Sequence, residues 1–413
     1  MNLFLNRDEV FVAGGQPTHT YVERSGEAVE RSLARAIATP NQIVSLAGPT
    51  KTGKTVLCKN ILEQRQYIWV DGGQVKSIDA FWTLVCGELS LPDTTEITKA
   101  SETALEVGGE LPWVVTAKGS KLLSSSLVER RNASTPAAAI AQMQKAKAIL
   151  VIDDFHYIPE ASRTDLLRGI KGAVFNGLKV ILLSVTHRVF DALKSESELT
   201  GRFTAISLPH WSADDLRLIP QKGFAALNVE CPTAIVERLC EEAQESPFLM
   251  QMFCWQICFD CRIESWSLTT KKVPAEIDLK SMYRLIAKDA GLPIYQKLAA
   301  GPQSRKARAK RPMASGRDAD IYEAILLALA ETGPKSVVPY DELRAALARL
   351  LTEMVPQKNE ITSALKHLAR ISREIGAETA IDWDESKREV NVAEPYLRFF
   401  MRWQIRRNGA ALR

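Results

Sequence analysis

The feature that most constrains this chain is a glycine-rich segment of eight residues near its amino terminus. Gly48, Gly53, Lys54 and Thr55 occupy every fixed position of the pattern G-x-x-x-x-G-K-[ST]. The apolar run QIVSLAG before the segment suits a buried strand, and KTVLCKNILEQ after it has the pattern of a helix. A strand, a tight loop and a helix in this order are what a backbone cradle for phosphate requires. The sequence therefore predicts a phosphate-binding loop in preference to a chance glycine-rich turn.

The residues of this loop have roles that follow from its geometry. Gly48 and Gly53 allow backbone N–H groups to turn inward, and the following helix points its positive end at the same place. Lys54 is placed to bridge the outer phosphates, and the Thr55 hydroxyl is placed to ligate Mg²⁺. ATP and Mg²⁺ are therefore the expected cofactors. The predicted nucleotide-binding residues of the loop are Gly48, Pro49, Thr50, Lys51, Thr52, Gly53, Lys54 and Thr55.

A second motif, KAILVIDDFHYI, places a continuous apolar run directly before Asp153 and Asp154. Such a run is typical of a central parallel strand that is covered on both faces, and ligands bind at the carboxyl ends of such strands. Asp153 is the expected Mg²⁺ ligand beside Thr55, and Asp154 is expected to orient or deprotonate an attacking water. A second interpretation of Asp154, as the cap of a helix over FHYIPE, is equally open.

Three further segments, QYIWVDGG, LKVILLSVTHR and TAISL, have the pattern of buried strands. Thr186 and Arg188 lie at the end of the second of them and are placed to sense the terminal phosphate, and Arg202 lies just before the third. Between these motifs, the alternation in TALEVGGELPWVVTAKGSKL predicts a β-hairpin. This insertion either contacts DNA or a partner or is a family-specific addition.

The order and spacing of these motifs over residues 20–260 resemble the AAA+/STAND division of P-loop ATPases, which includes origin-recognition and transposon-regulator ATPases. The resemblance implies ATP hydrolysis and an arginine finger at Arg202 that reaches a neighbouring subunit; a strand-edge arginine in a surface ion pair is the alternative. HTYVER, with Tyr21 and Arg24, resembles the segment that packs on adenine. ESPFLMQMFCWQI, with Pro247, resembles the helical lid. No arginine matches the usual sensor 2 pattern, which favours the STAND side.

Three of the seven cysteines are closely spaced, because Cys254, Cys258 and Cys261 form C-x3-C-x2-C. This spacing is also that of some [4Fe–4S] ligands. On a helix, however, positions i, i+4 and i+7 share one face, and free cysteine is a common small apolar residue. We therefore predict a buried helix face. Seven cysteines in 413 residues are too few for a disulfide framework, which favours a reducing cytoplasm.

The segment AAGPQSRKARAKRPMASGRD loses apolar periodicity and is rich in cations. It is predicted to be an exposed basic linker between domains. Its charges are either simply solvated or contact nucleic-acid phosphates, in which case binding would weaken steeply with salt. The cations are Arg305, Lys306, Arg308, Lys310 and Arg311.

Beyond the linker, DADIYEAILLALAETGP, PYDELRAALARLL and NEITSALKHLARISRE predict three helices, the last capped by Asn359, and AIDWDESKREVNVA predicts a β-hairpin. This order indicates a winged helix whose third helix is the one offered to a DNA groove. A domain used only for packing is the competing interpretation, favoured by EPYLRFFMRW, which resembles the segment closing the winged helix of archaeal-type STAND ATPases. The third helix mixes cations with acids: Lys358, Lys366, His367, Arg370 and Arg373 with Glu360 and Glu374.

The predicted fold class is α/β, a P-loop parallel-sheet ATPase domain with a helical lid, followed by an α+β winged-helix domain. The expected parts are an N-terminal arm (1–20), the P-loop core (21–210), the helical lid (211–298), the basic linker (299–317) and the winged helix (318–413).

Composition narrows the functions that this fold could serve. The chain is 46% hydrophobic and 25% charged with a net charge of +4, which suits a soluble globular protein and does not by itself demand nucleic acid. No apolar run approaches the ~20 residues of a membrane helix. We expect a homo-oligomeric switch ATPase that couples nucleotide state to partner binding. The alternatives are an initiator, loader or transposition regulator on duplex DNA, and a sensor or motor of a bacterial defence system with a separate protein effector.

Overall fold

The computed structural model describes residues 5–24, 28–49, 51–91, 135–185, 202–303, 308–375 and 380–406. The chain packs into two compact units, each with its own apolar core. The sheet unit comprises Glu27–Gly48 and Leu57–Leu208. The helical unit comprises Met1–Gly26, Pro49–Val56 and Pro209–Arg413. Packing thus groups residues differently from the five consecutive parts expected from the sequence.

The sheet unit is built on five parallel strands in the order β2-β3-β4-β1-β5. Because all five are parallel, their carboxyl ends lie along one edge, with β4 between β1 and β3. The five strands expected from the apolar runs are confirmed. They are β1 Ile43–Ala47, β2 Tyr67–Asp71, β3 Ile149–Asp153, β4 Lys179–Ser184 and β5 Phe203–Ser207.

Helices cover both faces of this sheet, which explains why its three central strands, β3, β4 and β1, are buried without alternation. In β3, Leu150 and Ile152 pack into one core, whereas Ile149 and Val151 pack into the other. The first core is closed by helices Ile78–Glu88, Pro136–Ala146 and Glu160–Phe175. The second core is closed by helices Ala28–Ala38 and Lys54–Leu62.

The first described helix of the helical unit is Arg7–Val10, and its last residue, Val10, and the following Phe11 are buried in the core of the helices expected for the lid. Over its described residues, the N-terminal segment is therefore packed into this core. A two-strand pair joins Val229–Glu230 to Lys271–Lys272. The lid helices are Ala213–Ala226, Thr233–Glu242, Pro247–Asp260 and Leu279–Ala300.

The closely spaced cysteines lie on or beside one of these helices, as predicted. Cys254 and Cys258 are fully buried on helix Pro247–Asp260, and Cys261 caps its carboxyl end. Burial raises the pKa of the Cys258 thiol to about 12, so the thiol stays protonated. Among the described residues, no group of three or more His, Cys, Asp or Glu side chains is arranged to hold a metal ion.

The carboxyl-terminal part contains the predicted three helices and the predicted hairpin, together with a short third strand. The helices are Ile321–Glu331, Tyr340–Leu350 and Lys358–Ile375. Strand Glu389–Val392 pairs antiparallel with both Val337–Pro339 and Ile381–Asp384. The cap predicted at Asn359 is wrong, because the third helix begins one residue earlier and includes Asn359 in its first turn. Assignment of this part as a winged helix stays a prediction.

The linker predicted between these parts is only partly exposed. Helix Leu279–Ala300 runs into it, and Arg311–Pro312 pairs with Asp318–Ala319. Arg308 lies 2.7 Å from Asp320, and Arg311 donates to Glu360. The expectation of freely exposed cations is therefore wrong for these two arginines, because both find carboxylates. Lys310 is exposed, and Arg305 and Lys306 lie outside the described residues.

The chain ends in a short helix, Pro395–Phe400, followed by a π-helical turn, Met401–Arg406. Leu397 packs into the core of the carboxyl-terminal helices, whereas Phe399 and Trp403 pack into the core of the lid helices. This segment therefore belongs to both cores of the helical unit. Of the helices in the described ranges, none is long and apolar enough to cross a bilayer.

Candidate nucleotide-binding site

The glycine-rich loop leaves the sheet through a position where only glycine fits. Gly48 N–H donates to the Ser184 carbonyl at the end of β4, over 3.2 Å. A Cβ at Gly48 would lie 2.7 Å from Leu208 Cβ and 2.9 Å from the Leu208 carbonyl oxygen. The close approach of the chain after β5 therefore accounts for the first glycine of the motif.

The second glycine serves the loop through its backbone conformation. Gly53 has φ +88° with no heavy atom within 4 Å of an added Cβ, so conformation and not space requires glycine there. Helix Lys54–Leu62 starts at the next residue. The strand, loop and helix predicted from the motif are confirmed, with Thr50 outside the described residues.

Two loop side chains converge on one carbonyl. Lys54 Nζ donates to the Pro49 carbonyl over 2.8 Å, and Thr52 Oγ1 donates to the same oxygen over 2.7 Å. Lys54 is only 6% exposed. The ammonium is thus held inside the loop, where a bound phosphate would gain from its charge.

Arg24, predicted at the nucleotide, lies against the loop. Its guanidinium is buried, donates to the Thr52 carbonyl and donates to the Pro209 carbonyl over 2.6 Å. The same guanidinium lies 4.7 Å from the ring centre of Trp211, whose indole N–H donates to the Thr52 carbonyl over 2.8 Å. Sequence reasoning missed Trp211; the only signal was an aromatic residue shortly after the last strand of the sheet. Together Arg24 and Trp211 brace the loop at Thr52.

Lys51 points out of the loop towards residues distant in the sequence. Its backbone is left-handed, with φ 55°. Its ammonium lies 4.0 Å from Glu394 Oε2, 4.8 Å from the ring centre of Tyr396 and 5.7 Å from that of Phe248. The motif assigned Lys51 only to the loop, and none of these partners was predicted.

The carboxylates predicted for metal binding and hydrolysis lie at the carboxyl end of β3. Asp153 ends the strand and is partly exposed, and Asp154 adopts a left-handed conformation with φ 50° and ψ 40°. Asp154 N–H donates to Asp153 Oδ1 over 3.0 Å. The Asp154 side chain makes no capping bond to the short helical turn Phe155–Tyr157, so the helix-cap interpretation is wrong.

The backbone of this pair rests on a glycine that sequence reasoning did not single out. A Cβ at Gly72, which follows β2, would lie 2.5 Å from the Asp154 carbonyl oxygen and 2.9 Å from that of Asp153. On helix Lys54–Leu62, Cys58 has its pKa raised to about 12, first by burial and then by the negative charge of Asp153. Asp153 therefore lies within electrostatic reach of the helix that follows the loop.

Arg202 lies at the edge of the sheet opposite to Gly48, the first residue of the glycine-rich motif. The register pairs Ile43 with Phe203, which places Arg202 beside the amino end of β1. Gly48 follows the carboxyl end of that strand, and five residues at about 3.3 Å each separate the two ends by roughly 16 Å. Within the described part of the chain Arg202 makes no ion pair, and its guanidinium lies 4.6 Å from the ring centre of Phe175, which is 58% exposed.

The other residues predicted at the site make contacts that do not bear directly on a bound nucleotide. The Tyr21 carbonyl accepts from Lys222 over 2.7 Å, and Pro247 begins its helix behind the cap residue Ser246. Their contact with a nucleotide stays a prediction, as do the phosphate-sensing roles of Thr186 and Arg188, which lie outside the described residues. Thr55 and Asp153 are both partly exposed and offer a hydroxyl and a carboxylate, the oxygen ligands that Mg²⁺ prefers.

A five-stranded parallel sheet of this order, with a glycine-rich loop after β1 and a carboxylate pair at the carboxyl end of β3, has the fold of P-loop ATPases. The predicted α/β class with a P-loop parallel-sheet domain is confirmed, and the winged helix stays a prediction. A Walker-type ATPase of Pyrococcus abyssi has 15% identity and a TM-score of 0.53, with 93% of this chain and 100% of that chain covered. The ORC2 protein of Aeropyrum pernix, solved with ADPNP and ADP, has 14% identity and a TM-score of 0.52, with 99% and 100% covered. No family model and no curated protein matches the chain.

Proposed function

We propose that this chain is an ATP-binding and ATP-hydrolysing switch that couples its nucleotide state to assembly and partner binding. The observation that carries the proposal is the loop itself. Its two glycines are required by a close approach and a left-handed backbone, Lys54 is held inside it, and Arg24 braces it. A loop that needed only to turn would have no use for this buried positive charge.

The residues divide the chemistry as follows. Lys54 and the backbone N–H groups of the loop bind the outer phosphates, and Thr55 and Asp153 hold Mg²⁺, which neutralises phosphate charge when bound. Asp154 orients the attacking water through its carboxylate. Since Asp is one methylene shorter than Glu, we expect slow hydrolysis.

Arg202 supports a homo-oligomer. It lies about a strand length from the loop that follows β1, as derived above from the parallel register. It therefore cannot complete the site of its own sheet and is available to the site of another copy. Phe175 holds its guanidinium at the surface.

Two measurements test these assignments. Lys54→Ala should abolish binding of a fluorescent ATP analogue, whereas Lys59→Ala should not, because Lys59 is an exposed lysine of the same helix that lies over Trp69. Normal binding by Lys54→Ala would refute the site. The specific hydrolysis rate of the unmodified chain should rise with protein concentration as copies assemble.

Arg202→Ala should remove that rise and leave ATP affinity unchanged. Phe175→Leu is the matched control, because it removes the ring that Arg202 contacts and keeps the guanidinium. Equal losses in both variants would show that the contact with Phe175, and not a finger in another copy's site, explains the effect. A specific rate that is independent of protein concentration would contradict the oligomeric switch.

Duplex DNA is the second candidate partner, favoured by the exposed face of helix Lys358–Ile375. Lys358 and Arg370 are exposed there and make no ion pair with any other described residue. Lys366 and Arg373, by contrast, lie 2.9 Å from Glu385 and 3.0 Å from Asp382. Exposed pairs of this kind are worth little, so phosphates could replace these carboxylates.

Salt dependence tests this candidate. If two phosphate contacts are lost, the joint replacement of Lys358 and Arg370 by Ala should reduce the slope of log K against log salt by roughly 2. Lys335→Ala, at a lysine that pairs with Glu342, should leave the slope unchanged. Absence of binding to duplex DNA at low salt would exclude DNA as the partner. A separate protein effector would then be sought among proteins that co-purify with the chain.

A further inference from the structure

The outward-pointing lysine of the loop sits in a cage of acidic and aromatic groups. Glu394 Oε2 lies 4.0 Å from the Lys51 ammonium nitrogen. The Glu394 side chain is 7% exposed to solvent, and the Lys51 side chain is 30% exposed. The rings of Phe248 and Tyr396 meet edge to face with centres 5.0 Å apart, and both lie within 6 Å of the ammonium. Rings and a carboxylate around one ammonium are a favourable environment for a cation.

The acidic wall of this cage is also the start of the last helix. Glu394 caps helix Pro395–Phe400, and its carboxylate accepts from the Tyr396 N–H over 3.3 Å. Buried Arg398, one turn further, donates to the Gln244 carbonyl over 3.0 Å and interacts with the charges of Glu394 and Glu245. A change in the charge facing Glu394 therefore acts directly on the first turn of this helix.

That helix is in turn packed too tightly to move alone. A Cβ at Gly291 on helix Leu279–Ala300 would lie 2.3 Å from Phe400 Cβ and 2.7 Å from the Tyr396 carbonyl oxygen. Leu397 enters the core of the carboxyl-terminal helices, and Phe399 enters the core of the lid helices. Segment 394–406 is thus a common element of both cores, and Lys51 contacts its first residues.

We propose that Lys51 couples phosphate occupancy of the loop to segment 394–406, and this proposal rests on the nucleotide site proposed above. Glu394 and the phosphates of the nucleotide compete for the single Lys51 ammonium, because an ammonium is a compact point charge and its flexible stem can reach either side. The contact with Glu394 holds segment 394–406 against the loop when phosphate is absent, and bound phosphate weakens that contact. Because coupling is reciprocal, anything that weakens the contact must tighten nucleotide binding.

The test measures the affinity of fluorescent ADPNP with Mg²⁺ for the full chain. Glu394→Gln keeps an acceptor for the Tyr396 N–H and removes the competing charge, so affinity should rise about five-fold. Glu245→Gln is the matched control, since it also removes a carboxylate that faces Arg398 but lies outside the cage. In a Lys51→Gln background, Glu394→Gln should have no further effect on affinity.

A second readout does not depend on how well Glu394→Gln folds. Hydrogen exchange in peptides covering 394–406 should become faster when ADPNP binds the unmodified chain, and this response should be lost in Lys51→Gln. Unchanged or weaker ADPNP binding by folded Glu394→Gln would overturn the coupling, as would an exchange response that survives in Lys51→Gln. Failure of the unmodified chain to bind ADPNP at all would instead overturn the proposed function.

Discussion

Replacement of Gly72 by Ala tests whether the carboxylate pair after β3 is placed by the glycine that follows β2. The new Cβ would lie 2.5 Å from the Asp154 carbonyl oxygen, whereas an ordinary contact begins at 3.4 Å. The obstacle is backbone on both sides, so neither group can rotate away. The chain at Asp153 and Asp154 must therefore retreat by almost an ångström.

The expected magnitude follows from this displacement. Overpacking of a buried site costs about 1–3 kcal/mol, and a cost of about 2 kcal/mol lowers Tm by roughly 4–8 °C in a unit of this size. A catalytic group misplaced by about 1 Å costs on the order of 10²-fold in rate. Gly72→Ala should therefore lose ATP hydrolysis out of proportion to its loss of stability, because Asp154 is the group displaced.

Gly172→Ala is the matched control. Gly172 lies inside helix Glu160–Phe175, and no heavy atom lies within 4 Å of an added Cβ. Because alanine favours a helix interior over glycine, this variant should gain about 0.5–1 kcal/mol and hydrolyse ATP normally. Thermal unfolding by circular dichroism and single-turnover hydrolysis measure both quantities. A Gly72→Ala variant with unchanged Tm and hydrolysis rate would refute the reasoning.

Two further predictions concern the brace and the pH dependence. Trp211→Phe keeps a ring beside Arg24 but loses the 2.8 Å hydrogen bond to the Thr52 carbonyl. Because such a bond is worth about 0.5–1.5 kcal/mol, titration with fluorescent ATP should show binding weakened roughly 2- to 10-fold. Unchanged affinity would show that this hydrogen bond is not needed for nucleotide binding. A hydrogen bond from His210 lowers the pKa of Glu245 below its ordinary 4.5, so the carboxylate stabilises the fold above that pH and the contribution is lost as pH falls through the lowered pKa. Below pH 4.5 the Tm of Glu245→Gln should therefore fall less steeply with acidification than that of the unmodified chain, and parallel curves would contradict this.

The elements that the sequence predicted correctly are those whose signal is local. The loop after β1 was recognisable because its two glycines and its lysine lie within eight residues, although the close approach that requires Gly48 comes from Leu208. The three central strands were recognisable because strands covered on both faces of a sheet require continuous apolar runs. The cysteine face of helix Pro247–Asp260 followed from helical periodicity alone.

Predictions of partners and exposure were less successful, because they depend on residues distant in the chain. Arg308 and Arg311 looked like solvated cations, and each pairs with a carboxylate supplied by a later helix or its cap. Asn359 looked like a cap because its side chain suits one, but the structured turn begins a residue earlier. From the sequence, Asp154 suited helix capping and catalysis equally well. In the structure its side chain makes no capping hydrogen bond to the turn Phe155–Tyr157.

The sequence by itself determined the glycine-rich loop between a strand and a helix, the five strands of the sheet and the order of the helices, since motif spacing and apolar periodicity are properties of neighbouring residues. Only the tertiary structure decided what surrounds the loop. It placed Trp211 beside Arg24, Glu394 beside Lys51, and Arg202 at the far edge of the sheet. The physical reason is that side-chain packing and strand register fix distances between residues that are remote in sequence, and no local pattern encodes those distances.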